Sequence, residues 1–382
     1  MEVKNRGENI QKSLNVLYLL NHAGKAGTER YVYTLIEKLN NERIKAYFAY
    51  NEYGLLVERL KNINVKTFQI GMSNPFDINA AFKLSQFCKK LDIDLIHTQF
   101  LRENYIAILS RIFNPKVKVM YTNHFVMHNN KVQKIFNKIF TPFDANIITV
   151  CNKGKEVLIS NGNEPSKINV IFNGVDTEYW KQPLESTMRK NLSIGEDEFV
   201  LLCASRFAHD KGHRYLVNAI SLLRRMTDKK FRCVLAGDGP LLDDVKEQVA
   251  KLSLEKHIVF TGFRKDIRNL YKGSNLYINS SEHEALSFNI IEALASGLPV
   301  VATDMGGNSD IINQKTNCGL LVEYDNPQSM CKGILKVMED ENLYSQYRTN
   351  AFKTVDEIFN LDKVVDKTYN LYVKSVEKNV EK

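Results

Sequence analysis

Two patterns of apolar residues alternate along this chain. Short continuous apolar runs occur at residues 14–20, 46–50, 94–97, 117–121 and 146–150, separated by stretches whose apolar residues recur at helical spacing. Continuous runs of this length read as strands buried on both faces, and the helices between them imply a parallel sheet covered on both sides. The second half repeats the pattern with runs at residues 199–204, 232–236, 258–260, 276–278 and 299–302. This βαβα order in both halves predicts an α/β protein of two doubly wound, Rossmann-like domains. Turn residues and Pro183 interrupt the pattern between 173 and 193. The expected domains are therefore 1–183 and 184–360. Leu361, Val364, Val365, Tyr369, Tyr372, Val373 and Val376 keep helical period, so residues 361–382 should form a helix that packs back across the domains.

A further amphipathic segment spans residues 131–140. Val132, Ile135, Phe136 and Ile139 share one helical face, and Lys131, Lys134 and Lys138 line its flank. The pattern favours a core-facing helix with a solvated lysine edge. The other reading is a helix resting on an anionic membrane surface.

Composition narrows the class. With 382 residues, 44% of them apolar, the chain has room for two domains with sizeable cores. No apolar run is long enough to span a bilayer. Residues 1–13 are polar and lack the apolar stretch of a signal peptide. The six cysteines (Cys88, Cys151, Cys203, Cys233, Cys318 and Cys331) form no C-x-x-C pair. That weighs against a disulfide framework or structural zinc and suggests reduced thiols in a cytoplasmic protein. The net charge of +8 is uneven: residues 1–183 carry 25 Lys/Arg against 16 Asp/Glu, and residues 184–382 carry 27 against 28. An anionic partner of the first half is expected, either a membrane surface or a lipid-linked phosphate. Nucleic acid is the weakest choice, because no recognition motif accompanies the charge.

Candidate chemistry gathers after the strands, where open α/β sheets bind ligands. Glu284 falls in the loop after the run at 276–278, and Glu292 falls two turns inside the following helix, which Gly297 and Pro299 should end. The two carboxylates lie roughly 12 Å apart at ~1.5 Å rise per residue. The helix start between them offers free N–H groups to phosphate. This suits a ligand with hydroxyls at both ends and phosphates in the middle, the outline of a nucleotide-sugar. Arg206 and Lys211 follow the run ending at Ala204 and could neutralise a diphosphate. Gly24 and Gly27 open a turn before a helix. His97 and His124 sit at strand ends in the first half. Asp92-Ile-Asp94 imitates a metal-binding pair but runs into an apolar strand, so no metal is expected. No Ser/His/Asp nucleophile pattern stands out.

These pieces fall in a known order. The chain resembles the retaining GT-B glycosyltransferases of glycosyltransferase family 4 over nearly its full length. The resemblance rests on Ala26-Gly-Thr-Glu-Arg30, Asp94-Leu-Ile-His-Thr98, Thr122-Asn-His124, Asn173-Gly-Val-Asp176, Ser205-Arg206 with Asp210-Lys-Gly212, Ala236-Gly-Asp-Gly-Pro240, Phe260-Thr-Gly262, Glu284 with Glu292, Gly297-Leu-Pro-Val-Val-Ala-Thr303 and Gly306-Gly307. It implies a two-domain cleft enzyme that needs no metal or other cofactor and retains anomeric configuration. The donor would be a nucleotide-sugar, UDP-linked, and the acceptor a glycan or lipid-linked sugar at the inner membrane face. Arg206 and Lys211 would hold the diphosphate, Glu292 the ribose and Glu284 the transferred sugar, with His124 at the reacting centre. Gly27, Leu286, Ser287, Gly239 and Gly262 would complete the donor site. Thr28, Glu29 and His97 would contact the acceptor. The sequence departs from the family pattern at Ala26, Ala285 and Asp310, where the family usually has Gly, Gly and Glu. Two alternatives remain: transfer to a small soluble acceptor, or a non-catalytic protein that binds a nucleotide-sugar.

Overall fold

The computed structural model describes residues 13–377. The polar N-terminal residues 1–12 and the last five residues of the expected terminal helix lie outside the described residues.

Two parallel sheets organise the chain. The first contains β1 (Leu14–His22), β2 (Ile44–Glu52), β3 (Lys66–Gln69), β4 (Leu95–Thr98), β5 (Lys118–Asn123), β6 (Asn146–Thr149) and β7 (Ile168–Val170), in the order β3-β2-β1-β4-β5-β6-β7. The second contains β8 (Phe199–Ala204), β9 (Phe231–Ala236), β10 (Ile258–Gly262), β11 (Leu276–Asn279), β12 (Val300–Thr303) and β13 (Gly319–Val322), in the order β10-β9-β8-β11-β12-β13. Every neighbouring pair is parallel. Helices cover both faces, and this is why the central strands read as unbroken apolar runs. Val16 to Leu20 of β1 are wholly buried. Each sheet reverses its strand order once, between β1 and β4 and between β8 and β11, and such reversals open ligand crevices at strand C-termini.

Three strands lack a sequence signal: β3, β7 and β13. All three are sheet edges. An edge strand has one hydrogen-bonding side without a partner and is short or partly polar, so no long apolar run marks it.

The C-terminal edges of the two sheets face one another. Arg30, after β1, pairs with Glu292, after β11. Asn152, after β6, donates its backbone N–H and its side-chain amide to Asp310, after β12, both at 2.7 Å. Asn173 Nδ2 donates to Leu286 O at 3.3 Å. The chain crosses between the sheets twice, and the crossings run side by side: Val175 N donates to Phe359 O at 2.9 Å, and Leu361 N to Val175 O at 3.0 Å. The final helix, Leu361–Glu377, returns to the first sheet. Its Leu361, Val364, Val365, Leu371 and Tyr372 join one apolar cluster with Val16, Tyr18 and Leu20 of β1.

The helix Lys131–Phe140 corrects an expectation. Phe136 and Phe140 pack on Phe76 and Tyr105, and Asn137 is buried. Val132, Ile135 and Ile139 instead face outward, 60%, 58% and 54% exposed. The apolar stripe is wider than the surface beneath it, so Phe136 and Phe140 cover the core while Val132, Ile135 and Ile139 meet solvent.

Candidate active site

Strand β11 ends at Asn279, and residues 280–287 loop before the helix Phe288–Ala295. Ser287 is extended and no side chain caps the first turn. The bond from Ile291 N to Ser287 O, 3.2 Å, belongs to that turn, and the amides ahead of it are the orphan donors of any helix start. Gly297, at φ +84°, ends the helix as expected. Glu292 sits inside the helix and is 3% exposed. Tyr271 donates to its Oε2 at 3.4 Å, and the Arg30 guanidinium of the first domain pairs with Oε1. Burial pushes this carboxyl above the usual range, and Arg30 and Tyr271 offset part of that rise.

Glu284 has a complementary setting. Its Oε1 accepts from Lys211 Nζ at 3.0 Å, Ser281 Oγ at 2.9 Å and Asn279 Nδ2 at 3.4 Å. Burial works against the charge on Lys211, but Glu284 and Asp210 outweigh it and raise its pKa. Gly306 holds the loop from behind. At φ +57°, a Cβ there would stand 1.6 Å from the Glu284 carbonyl oxygen, so only glycine fits. Arg206 is exposed, and its guanidinium has no hydrogen-bond or ion-pair partner among the described residues.

Across the cleft, the helix Gly27–Leu39 starts after an extended Ala26, again without a side-chain cap. Nothing lies within 4 Å of where a Gly27 Cβ would be. Thr28 is half-buried beside it. Glu29 is buried, and its Oε1 accepts from Gly24 N at 3.1 Å; its present work is to hold the turn. His124 is half-buried, with its Nε2 2.9 Å from Gln99 Oε1. Gln99 Nε2 donates to His97 O at 3.5 Å, so the amide oxygen faces the histidine and Nε2 of His124 carries the hydrogen. Burial lowers the His124 pKa to about 3, leaving the ring neutral. The edge of Tyr31 packs on it, ring centres 4.9 Å apart.

The structure brings Glu284, Glu292, Lys211, Leu286 and Ser287 onto one wall, with Arg30 reaching it from the other and Gly27 opening the helix that carries Arg30. His97 does not belong with them. It is fully buried, its Nδ1 2.7 Å from the Tyr372 hydroxyl and its Nε2 2.6 Å from Thr122 Oγ1. Both ring nitrogens are occupied, so the expected acceptor contact is corrected to a core contact with the final helix. Gly239, at φ +152°, is required by packing, since a Cβ would lie 2.4 Å from Phe207 O. Gly262, at φ +67°, has open space around it. Of the Asp92/Asp94 pair, Asp94 accepts from Asn15 N at 2.8 Å, which accounts for it as a strand connection. Arg30 and the Asp310–Asn152 clamp are what sequence reasoning missed, because neither partner lies near the other in the chain.

Known proteins share this chain's sequence pattern and fold. Residues 185–354 match the family described as glycosyl transferases group 1, and residues 26–179 match glycosyltransferase family 4. A UDP-Gal:alpha-D-GlcNAc-diphosphoundecaprenol alpha-1,3-galactosyltransferase of Escherichia coli is 27% identical over 92% of this chain and 94% of its own. An N-acetylgalactosamine-N,N'-diacetylbacillosaminyl-diphospho-undecaprenol 4-alpha-N-acetylgalactosaminyltransferase of Campylobacter jejuni is 30% identical over 74% of this chain and 77% of its own. Among solved structures, Anabaena Alr3699/HepE in complex with UDP superimposes with a TM-score of 0.82 at 20% identity, covering 94% of this chain and 99% of the other.

Proposed function

The chain belongs to the group 1 (family 4) glycosyltransferases, with their GT-B fold, and from that premise we propose that it moves a hexose or N-acetylhexosamine from a UDP-linked donor to a lipid-linked or polysaccharide acceptor. One observation carries the donor half of this reading: Glu284 and Glu292 flank an uncapped helix start, with Lys211 held at Glu284. Hydroxyls suit the two carboxylates, and a diphosphate suits the cation and the helix amides. Glu292 takes the ribose, Glu284 takes the transferred sugar, and Lys211 with Arg206 takes the diphosphate.

The transfer retains configuration and needs no metal. The bond from the anomeric carbon to the diphosphate breaks, and the acceptor oxygen bonds to that carbon on the same face. The acceptor proton passes to the departing phosphate oxygen. Lys211, Arg206 and the helix N–H groups stabilise the negative charge as it develops on the diphosphate. His124, neutral and fixed by Gln99, lines the sugar side of the cleft. Thr28 and the turn held by Glu29 face the acceptor.

The acceptor half draws on two supports. The E. coli and C. jejuni relatives are named for diphosphoundecaprenol-linked substrates. The exposed Val132, Ile135 and Ile139, with Phe125 and Met127 exposed in the preceding loop and Lys131, Lys134 and Lys138 along the flank, suit an anionic lipid surface. No helix among the described residues is long and apolar enough to cross a membrane, so the contact is peripheral. Two measurements test the reading. A thermal-shift panel of nucleotide-sugars should single out a UDP-sugar, because a ligand that binds only the folded state stabilises it. Co-sedimentation with anionic vesicles should fall as salt rises; absence of binding at every salt concentration rejects the membrane contact.

A further inference from the structure

The site is neutralised from within. Glu284 holds Lys211 and Glu292 holds Arg30. The first pair lies within one wall, whereas the second spans the cleft. The two partners of the second pair are unequal: the Arg30 side chain is 42% exposed and that of Glu292 only 4%. The acid is fixed in its helix, and the arginine has room to move.

The position of Arg30 is informative. It lies in the first turn of the helix Gly27–Leu39, just past the Gly27 turn. Its guanidinium carbon is 4.7 Å from the centre of the Phe288 ring. Phe288 is the first residue of the helix whose uncapped start faces the cleft. The guanidinium therefore stands beside the first residue of that helix, turned toward a carboxylate. A ribose that uses Glu292 as its acceptor competes with Arg30 for Oε1, since Tyr271 is at Oε2. Once displaced, the planar guanidinium is matched to two phosphate oxygens at once.

We propose that Arg30 is a third donor-binding cation, supplied across the cleft by the first domain, which yields Glu292 to the ribose hydroxyls and takes the diphosphate in exchange. The proposal rests on the reading that Glu292 holds the ribose of a nucleotide donor. The exchange keeps the buried acid satisfied throughout, by Arg30 before binding and by the ribose hydroxyls after it. A buried carboxylate without any partner is costly, so the two events are linked. The exchange also separates nucleotides by their phosphates. A nucleoside alone evicts Arg30 and offers it nothing, whereas a nucleoside diphosphate supplies the new partner.

Calorimetric titration of wild-type protein, Arg30→Ala and Arg30→Lys with UDP and with uridine tests this, with GDP and ADP run in parallel. Arg30→Ala should lose about ten- to a hundredfold in UDP affinity, the range of one charge-assisted pair. Its uridine affinity should stay level or rise, because the competitor for Glu292 is gone. Arg30→Lys should fall between, keeping the charge without the fork. Arg30→Ala leaves Glu292 without its cation, so the same substitution is also made on Glu292→Gln, where no charge is stranded; the UDP loss should recur there. An Arg30→Ala variant that binds UDP as tightly as wild type, or more tightly, would show that Arg30 only plugs the site. Equal loss of UDP and uridine would show a structural support. Both outcomes overturn the exchange while leaving the donor site standing. Wild-type protein that binds none of the three diphosphates overturns the donor-site reading, and the exchange with it.

Discussion

The two walls of the cleft share a topology and differ in chemistry. The first domain is strongly basic, yet the titratable ring it offers the cleft is neutral: burial holds His124 near a pKa of 3. Deeper in that domain, burial raises Glu103 to about 7 and Asp144 to about 8. The second domain is close to neutral overall, yet its cleft side concentrates Glu284, Glu292 and Lys211. Net charge therefore does not locate the ionic chemistry; local pairing does. The excess cations of the first domain are spent elsewhere, three of them along the outer helix Lys131–Phe140, and the cation it sends to the donor wall is Arg30.

The sharpest way to break this contrast is Lys211→Ala. It should lower kcat/KM by about 10²- to 10³-fold, the scale of one lost electrostatic donor at a reacting centre, with the circular dichroism spectrum unchanged. Undiminished turnover would erase the distinction between the walls. Next is Gly306→Ala, which forces a Cβ toward the Glu284 backbone at a positive φ. Urea unfolding should show a loss of about 1–3 kcal/mol, together with weaker donor binding; a wild-type midpoint would mean that the Glu284 loop does not need this turn.

The buried acids test the neutral wall. Asp144 titrates near 8 when folded and near 3.8 when not, chiefly through burial, against the pull of Asn104, Lys167 and Arg111. Between those values the folded state keeps a proton that the unfolded chain gives up, so stability is greatest at low pH and declines as pH rises through that window. One such group contributes a slope of at most about 1.4 kcal/mol per pH unit. Asp144→Asn should remove that part of the slope in denaturation measured from pH 4 to 8; an unchanged slope would mean that the acid is not held protonated. The smallest effect is expected from Ile135→Glu. It should lower anionic vesicle binding about tenfold and leave turnover of a water-soluble acceptor analogue unaltered. Equal vesicle binding would mean that the exposed stripe serves something else.

Much of this architecture is written locally in the chain. Central strands such as β8 and the helix ended by Gly297 announce themselves, because a run of Val and Leu or a glycine stop is a local signal. Glu284 and Glu292 are legible for the same reason, being on one loop and its helix. The edge strands β3, β7 and β13 are not, since half-solvated strands carry no apolar run. His97 misleads because a histidine at a strand end looks the same whether it faces a cleft or a core; the final helix, with Tyr372, decides it. The outward face of Lys131–Phe140 escapes because periodicity gives the width of an apolar stripe but not how much of it the neighbours cover. Arg30 pairs with Glu292, and Asn152 with Asp310, only through the packing of two domains, which no spacing encodes.

The central claim is that the second wall holds a nucleoside diphosphate by its two ends. Calorimetry with UDP and uridine on wild type, Lys211→Ala and Glu292→Ala tests it most directly. Lys211→Ala should weaken UDP by tenfold or more and leave uridine nearly unchanged, while Glu292→Ala should weaken both. Wild-type affinity for UDP in both variants would contradict the account.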